Sequence, residues 1–291
     1  MSISYKRLPR FDYVKPGSIR EALGILKDAG TARALMYAGG TDVVPQVKAR
    51  AVPAPDILVD LKGIPDLDYI SMDEGALRIG ALATISDVAR AAVVRDSFPV
   101  LAQAASSIAS TQIQNRGTIV GNICNAIPSA DSAPALLCLN AKAVCAGPGG
   151  DREIDLADFF SGPRKTVLGD DEMVRELRVP SFGGRGVYFK LSPRSRMDLA
   201  VVGVAVVADV DGGAFKDVRI GLGAVAPTPV RARGAEALLA GKEAGEDLVK
   251  EAAREASREA SPIDDHRASA EYRRLMVEVL VRRGLQQMMA N

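Results

Sequence analysis

Two short runs in this chain carry residue types that hold an anionic ligand by the main chain. One is Gly117-Thr118-Ile119-Val120-Gly121-Asn122, continuing through Cys124-Asn125-Ala126-Ile127-Pro128-Ser129-Ala130-Asp131-Ser132-Ala133-Pro134. It is too polar and too rich in Gly, Asn and Pro to be core, yet apolar segments flank it. Small residues there let a backbone approach a ligand and offer it N–H groups. Asp131 and Ser132 stand before Ala133-Pro134-Ala135-Leu136-Leu137, a helix start with proline in its first turn. The other run is Ala38-Gly39-Gly40-Thr41-Asp42, between the apolar Ala34-Leu35-Met36-Tyr37 and Val43-Val44-Pro45. Strand, Gly-Gly-Thr turn and helix again present amides to an anion. Together the loops suggest a ligand with two charged groups, or one pyrophosphate held from both sides. Asp42 reads both as a helix cap and as a ligand contact, and the two roles are compatible.

The remaining composition narrows the chemistry. His266 is the single histidine, beside Asp264 and Asp265 at the entry to a C-terminal helix, and there is no tryptophan. A Ser-His-Asp hydrolase or a histidine-rich metal centre does not fit one histidine without a motif around it. Any redox or group-transfer chemistry therefore belongs to a cofactor. Cys124, Cys138 and Cys145 lack Cys-x-x-Cys spacing, and the last two read as small buried residues. Gly221-x-Gly223-x-x-Ala226 imitates a dinucleotide fingerprint, but Pro227 and Pro229 forbid the helix that fingerprint opens. A net charge of +1 argues against nucleic acid or anionic membrane as partner. No apolar leader follows Met1, and the apolar run Leu199–Ala208 is too short for a span, so a cytoplasmic protein is expected.

Three units must position the loops. Residues 1–55 read as a small α/β unit with a helix capped by Ser18, bounded by Pro53-Ala54-Pro55. Residues 56–180 hold strands at Ile57–Leu61, Leu77–Gly80, 142–146 and Leu177–Pro180. They also hold helices starting near Ser86 and spanning 98–110 and 133–141, and a turn at Gly147–Asp151. Residues 181–291 turn to long antiparallel strands, Val187–Leu191, Leu199–Val210 and Phe215–Leu222, the last two joined by Asp211-Gly212-Gly213. Helices over 246–259 and from Ser261 onward close the chain.

The two loops in this order, with Gly80-Ala81-Leu82-Ala83-Thr84, Phe189-Lys190 and Arg196-Met197-Asp198-Leu199-Ala200, resemble the FAD-binding medium subunit of the molybdenum hydroxylases, the xanthine dehydrogenase and carbon monoxide dehydrogenase family. The resemblance runs from Phe11 to about Leu285. It implies an α+β fold, a two-part FAD-binding domain of the vanillyl-alcohol-oxidase/PCMH type followed by a C-terminal α+β domain with an antiparallel sheet. By position it implies that Tyr37, Ala38, Gly39, Gly40, Thr41, Asp42 and Val43 wrap the pyrophosphate, with Met36 also in the cofactor site. Thr118, Gly121 and Asn122 form the second wall, with Gly117 and Asn125 also in the cofactor site, and Asp131 holds the ribityl chain or flavin edge. Lys190 lies at the isoalloxazine, and Thr84, Ile108 and Met173 complete the set. Cys124 falls where the family places an apolar residue against the ring.

The resemblance further implies an oxidoreductase subunit that takes electrons from a [2Fe–2S] partner and passes them to NAD, a quinone or oxygen. A molybdopterin-binding large subunit and a [2Fe–2S] small subunit are the expected partners, in a dimer of heterotrimers. The first loop lacks the histidine that carries covalent flavin in related oxidases, so non-covalent FAD is expected. There is no cysteine-bearing insertion, so no cluster is expected on this chain. The alternative is a stand-alone FAD oxidase, which would need acid–base residues clustered around the flavin.

Overall fold

The computed structural model describes residues 7–195 and 197–290; Arg196 of the Arg196–Ala200 motif lies outside them. The first sheet is parallel, with strands β1 (Asp12–Val14), β2 (Ala34–Tyr37) and β3 (Ile57–Asp60) in the order β1-β3-β2. Parallel neighbours need crossovers, and the helices Ile19–Asp28 and Val43–Ala49 supply them. Ser18 caps the first, its Oγ accepting from the Glu21 N–H at 3.1 Å. The break expected at Pro53–Pro55 falls inside this sheet. β3, assigned by sequence to the next unit, enters last and takes the central place between β1 and β2.

The second sheet is antiparallel. It is made of β4 (Ile70–Asp73), β5 (Ala76–Gly80), β6 (Lys142–Gly147), β7 (Gly150–Asp155) and, after the small hairpin β8 (Phe160–Gly162)–β9 (Lys165–Thr166), β10 (Met173–Pro180). Their order is β4-β5-β10-β6-β7. Six short helices between Ile85 and Cys138 are inserted between β5 and β6. The expected cap at Ser86 is corrected to Thr84, whose Oγ1 accepts from the Asp87 N–H at 3.1 Å; Ser86 lies inside the helix and is buried. The helix expected over 98–110 spans Pro99–Ser106, because Ala109 turns left-handed at φ 45° and Ser110 caps a new turn.

The third sheet is an antiparallel meander, β11 (Arg185–Leu191), β12 (Val202–Asp211), β13 (Ala214–Gly223) and β14 (Val230–Arg231). Helices Arg233–Leu239, Glu246–Glu259 and Ala270–Met289 accompany it. The last helix starts after Ser269, whose Oγ accepts from Tyr272 N–H at 3.2 Å; residues 261–269 are therefore a loop rather than helix.

β12 explains the long apolar run. Ala205 and Val207 pack into the core shared with the first two sheets, while Val204, Val206 and Ala208 pack into the C-terminal core. A strand buried on both faces loses the polar alternation of a half-exposed one. Gly221 and Gly223 have a packing role here: a Cβ on Gly221 would stand 2.4 Å from the Pro134 carbonyl oxygen, and one on Gly223 2.8 Å from Pro134 Cγ. The false fingerprint is thus the seat of the helix Ser132–Cys138 on β13. No helix of the described residues is long and apolar enough to cross a membrane.

Candidate functional site

A cavity of about 800 Å³ lies where the first loop, the helical insert and the C-terminal unit meet. Volumes of roughly 300–1,000 Å³ are usual for small-molecule and cofactor sites. Its first wall is built by two loops seated directly on each other. A Cβ on Gly39 would come 2.0 Å from the Arg116 carbonyl oxygen, so only glycine allows this contact. A Cβ on Gly117 would lie 3.1 Å from Thr41 Oγ1. Gly40 takes φ 75° with the Tyr37 ring behind it. Among the described residues, the N–H groups of Gly39, Gly40, Thr41 and Asp42 donate to no protein group. They are the orphan donors that precede and open the helix Val43–Ala49.

The second loop is held by its own side chains. Thr118 Oγ1 accepts from the Gly121 N–H at 2.9 Å, capping the turn Ile119–Cys124. Ser132 Oγ donates to Asn122 Oδ1 at 2.6 Å, and Gln46 Nε2 donates to Asn125 Oδ1 at 3.2 Å. Asp42 occupies the cap position of its helix without a capping bond. Burial pushes its carboxyl above the usual range, against the pull of a hydrogen bond from Asn125 and the charge of Arg164.

At the opposite wall the construction changes to buried side chains. Asp131, 6 % exposed, pairs with Lys190 Nζ at 2.8 Å and accepts from Tyr188 Oη at 2.8 Å. Lys190 Nζ also donates to the Ser107 carbonyl at 3.0 Å. Burial raises the Asp131 carboxyl, opposed by the charge and hydrogen bond of Lys190 and by the Tyr188 hydroxyl. The same burial and the facing carboxylate hold the Tyr188 phenol protonated, well above its ordinary range.

Met36, Ala38, Gly39, Gly40, Thr41, Asp42 and Val43 line the cavity, as do Ile108, Gly117, Thr118, Gly121, Asn122, Cys124, Asn125, Asp131 and Met173. Tyr37, Thr84 and Lys190 stand behind its wall. The Tyr37 ring lies under the Lys62 ammonium, 3.9 Å from its centroid, and Lys62 donates to the Ala38 carbonyl at 2.9 Å. The main chain at Thr84 pairs with that at Thr118, and the neighbouring Ile85 N–H reaches the Gly117 carbonyl at 2.9 Å. Cys124 is packed with its thiol pushed up to about 12 by burial, so it stays a thiol at neutral pH.

Sequence reasoning gave no site role to part of the wall, although Met197, Asp198 and Leu199 belong to the matched Arg196–Ala200 run. Arg164 arrives from the β8–β9 hairpin, Met197, Asp198 and Leu199 from the loop before β12, and His266 and Arg267 from the loop before the last helix. No periodicity marks them, since each lies in irregular backbone. Two carry a conformational signal. Met197 (φ 58°) donates its N–H to the carbonyl of Ala109 (φ 45°) at 3.2 Å, joining the C-terminal unit to the insert in the cavity wall. Left-handed backbone at non-glycine residues concentrates at functional sites.

The chain matches two family models: the FAD binding domain in molybdopterin dehydrogenase over residues 9–182, and the CO dehydrogenase flavoprotein C-terminal domain over residues 187–288. Among curated proteins it is 35% identical to the carbon monoxide dehydrogenase medium chain of Hydrogenophaga pseudoflava, covering 95% of this chain and 96% of that one. It is 33% identical to the glyceraldehyde dehydrogenase medium chain of Sulfolobus acidocaldarius, covering 96% and 98%. Among solved structures, that of carbon monoxide dehydrogenase from H. pseudoflava lacking the Mo-pyranopterin moiety superposes with a TM-score of 0.94 at 36% identity, over 98% of this chain and 99% of that one. Quinoline 2-oxidoreductase from Pseudomonas putida 86 gives 0.91 at 28% identity, over 97% and 98%. Both halves of the cavity thus fall within matched domains, and the chain belongs to the FAD-binding medium subunits of the molybdopterin dehydrogenase and CO dehydrogenase flavoprotein family.

Proposed function

We propose that this chain is the electron-transfer subunit of a molybdenum-containing hydroxylase or dehydrogenase. It would receive electrons from a [2Fe–2S] partner subunit and pass them to NAD, a quinone or oxygen, within a cytoplasmic dimer of heterotrimers. The observation that most supports a dinucleotide here is the pair of glycine loops in van der Waals contact, with four free amides beside a cavity of about 800 Å³. The residues present fit FAD: an amide-built end for its pyrophosphate, an aliphatic wall from Ile108, Val120 and Met173, and a charged cluster at the other end.

When bound, FAD supplies a two-electron store that exchanges electrons singly or in pairs. The chain's own residues bind and tune it. The free amides of Gly39 to Asp42 hold the phosphate oxygens. Asp131 meets hydroxyl or N–H groups of the ligand, because a carboxylate beside phosphate would repel it. The Lys190 ammonium opposes the burial that raises the Asp131 carboxyl and supplies positive charge on the flavin side. Cys124, as a neutral thiol, fills space. The medium chains of carbon monoxide and glyceraldehyde dehydrogenases, similar over nearly their whole length, support a role as one subunit among several.

The test is a visible spectrum of the purified chain, followed by a tagged pull-down from its host. Flavin bands with co-purifying iron–sulfur and molybdenum chains are expected, and acid precipitation should leave the colour in solution. A flavin-bearing chain without partners would favour a stand-alone oxidase. A colourless chain that takes up no FAD would overturn the reading.

A further inference from the structure

We propose that Arg164, on the β8–β9 hairpin, is the cationic clamp for the phosphate groups of the dinucleotide; the assignment rests on the flavin reading above. Neither glycine loop carries a basic residue between Ala38 and Val43 or between Gly117 and Asp131. Most charges on the cavity wall are already spent on ion pairs. Asp131 is paired with Lys190, Asp198 with Arg194, Glu172 with Arg152, and Arg267 with Asp265. Among the described residues, the wall then holds Asp42, Arg33 and Arg164 without an ion pair.

Asp42 stands in the first loop itself, so its carboxylate works against a pyrophosphate on the neighbouring amides. Two phosphate charges leaving water beside that carboxylate need a cation as well as dipoles. Arg164 lines the cavity, and its N–H holds the carbonyl of Ala126, next to the Asn125 that Gln46 of the helix after the first glycine loop reaches. This puts it near Asp42, on whose carboxyl its charge acts. Arg33 precedes β2, whose four extended residues separate it from the glycine loop by roughly 13 Å of backbone, and so belongs to the far end of that strand.

The hairpin is also built to present Arg164. Its φ is 60°, and its N–H donates at 2.8 Å to the carbonyl of Ala126, itself at φ 48°. Ala126 follows Asn125 of the second loop, so the main chain of Arg164 is anchored to the cavity wall. Two left-handed non-glycine residues in one contact are a local cost that pinning the hairpin explains. A guanidinium is permanently charged and offers two parallel N–H groups to phosphate oxygens.

The test is equilibrium titration of the flavin-stripped full chain with FAD and, separately, with riboflavin, which lacks phosphate. Arg164→Gln should weaken FAD binding about 10- to 100-fold, the range for a lost charge-assisted contact, and leave riboflavin binding unchanged. Its FAD affinity should fall less steeply with added salt, and Arg164→Lys should recover part of the loss. Arg164 is exposed, so the variant should melt with the parent. Equal FAD affinity in Arg164→Gln overturns the clamp and leaves the flavin reading standing. Full recovery in Arg164→Gln with Asp42→Asn also overturns it, since Arg164 would then only offset Asp42. A parent chain that binds neither flavin overturns both readings.

Discussion

The two ends of the cavity are made of different material. The end at Gly39 and Gly117 is main chain against main chain, with free amides as its functional groups. The end at Asp131 is side chain against side chain, with Lys190 and Tyr188 brought from β11 to a carboxylate on the insert. Backbone dipoles hold an anion without being able to gain or lose a proton, and they tolerate no added bulk. A buried ion pair can tune charge, but each member depends on the other. The first end is rigid by exclusion, the second by mutual neutralisation.

The largest expected effect breaks the second end. Lys190→Met leaves Asp131 buried without its cation, which costs about 3–5 kcal/mol and is read from denaturant midpoints. Flavin retention should drop with it; an unchanged midpoint would mean the pair contributes nothing. The matching change at the first end is Gly39→Ala, whose new carbon meets the Arg116 carbonyl at 2.0 Å. Main chain cannot swing aside as a side chain does, so overpacking costs about 3 kcal/mol and the loops part. The expected readout is a folded but colourless protein, and a yellow Gly39→Ala variant would show that the loops can separate without losing the ligand.

A third prediction concerns pH and the loop that brings His266 and Arg267 to the cavity. Burial opposes the charge on Asp265, yet hydrogen bonds from the Arg267 N–H, Arg273 and the Ala268 N–H outweigh it. They hold its carboxyl at about 2, below the ordinary 3.8. A group with its folded-state pKa lowered stabilises the fold above its unfolded value, and that contribution is lost as pH falls towards 2. Melting temperature should decline between pH 4 and pH 2, and Asp265→Asn should flatten that decline. The smallest effect is Thr118→Ala, which removes one cap and costs about 1 kcal/mol. Thr118→Ser, keeping the hydroxyl, should melt with the parent.

The first end was largely legible in the sequence because close main-chain contact restricts residue type: Gly40 is demanded by its own φ of 75°, and Gly39 and Gly117 by the approach of the two loops to each other. Asp131 before its helix was legible too, whereas Thr118 was read only as a small loop residue and its capping bond to the Gly121 N–H is a structural finding. Ser86 was misjudged because Thr84, two residues earlier, offers the same hydroxyl, and only the pairing with Thr118 decides between them. Lys190, expected at the isoalloxazine, is largely buried with its ammonium on Asp131 and the Ser107 carbonyl, partners that nothing in the sequence marks. The loop 261–269 looked like the start of the last helix because Ser-Pro followed by two aspartates is a common helix entry. Asp265 instead turns back onto Arg273, inside that helix.

By itself, then, the sequence determined the alternation of elements, the two loops where only small residues fit, and the change to long antiparallel strands near residue 185. Local sterics and hydrogen-bond chemistry act over a few residues, and residue types record them directly. Tertiary structure alone decided that β3 lies between β1 and β2, that β12 is shared by two cores, and that Arg164, Met197 and His266 reach one cavity. Those facts depend on contacts between residues far apart in the chain, where many residue types satisfy the same packing and none announces its partner.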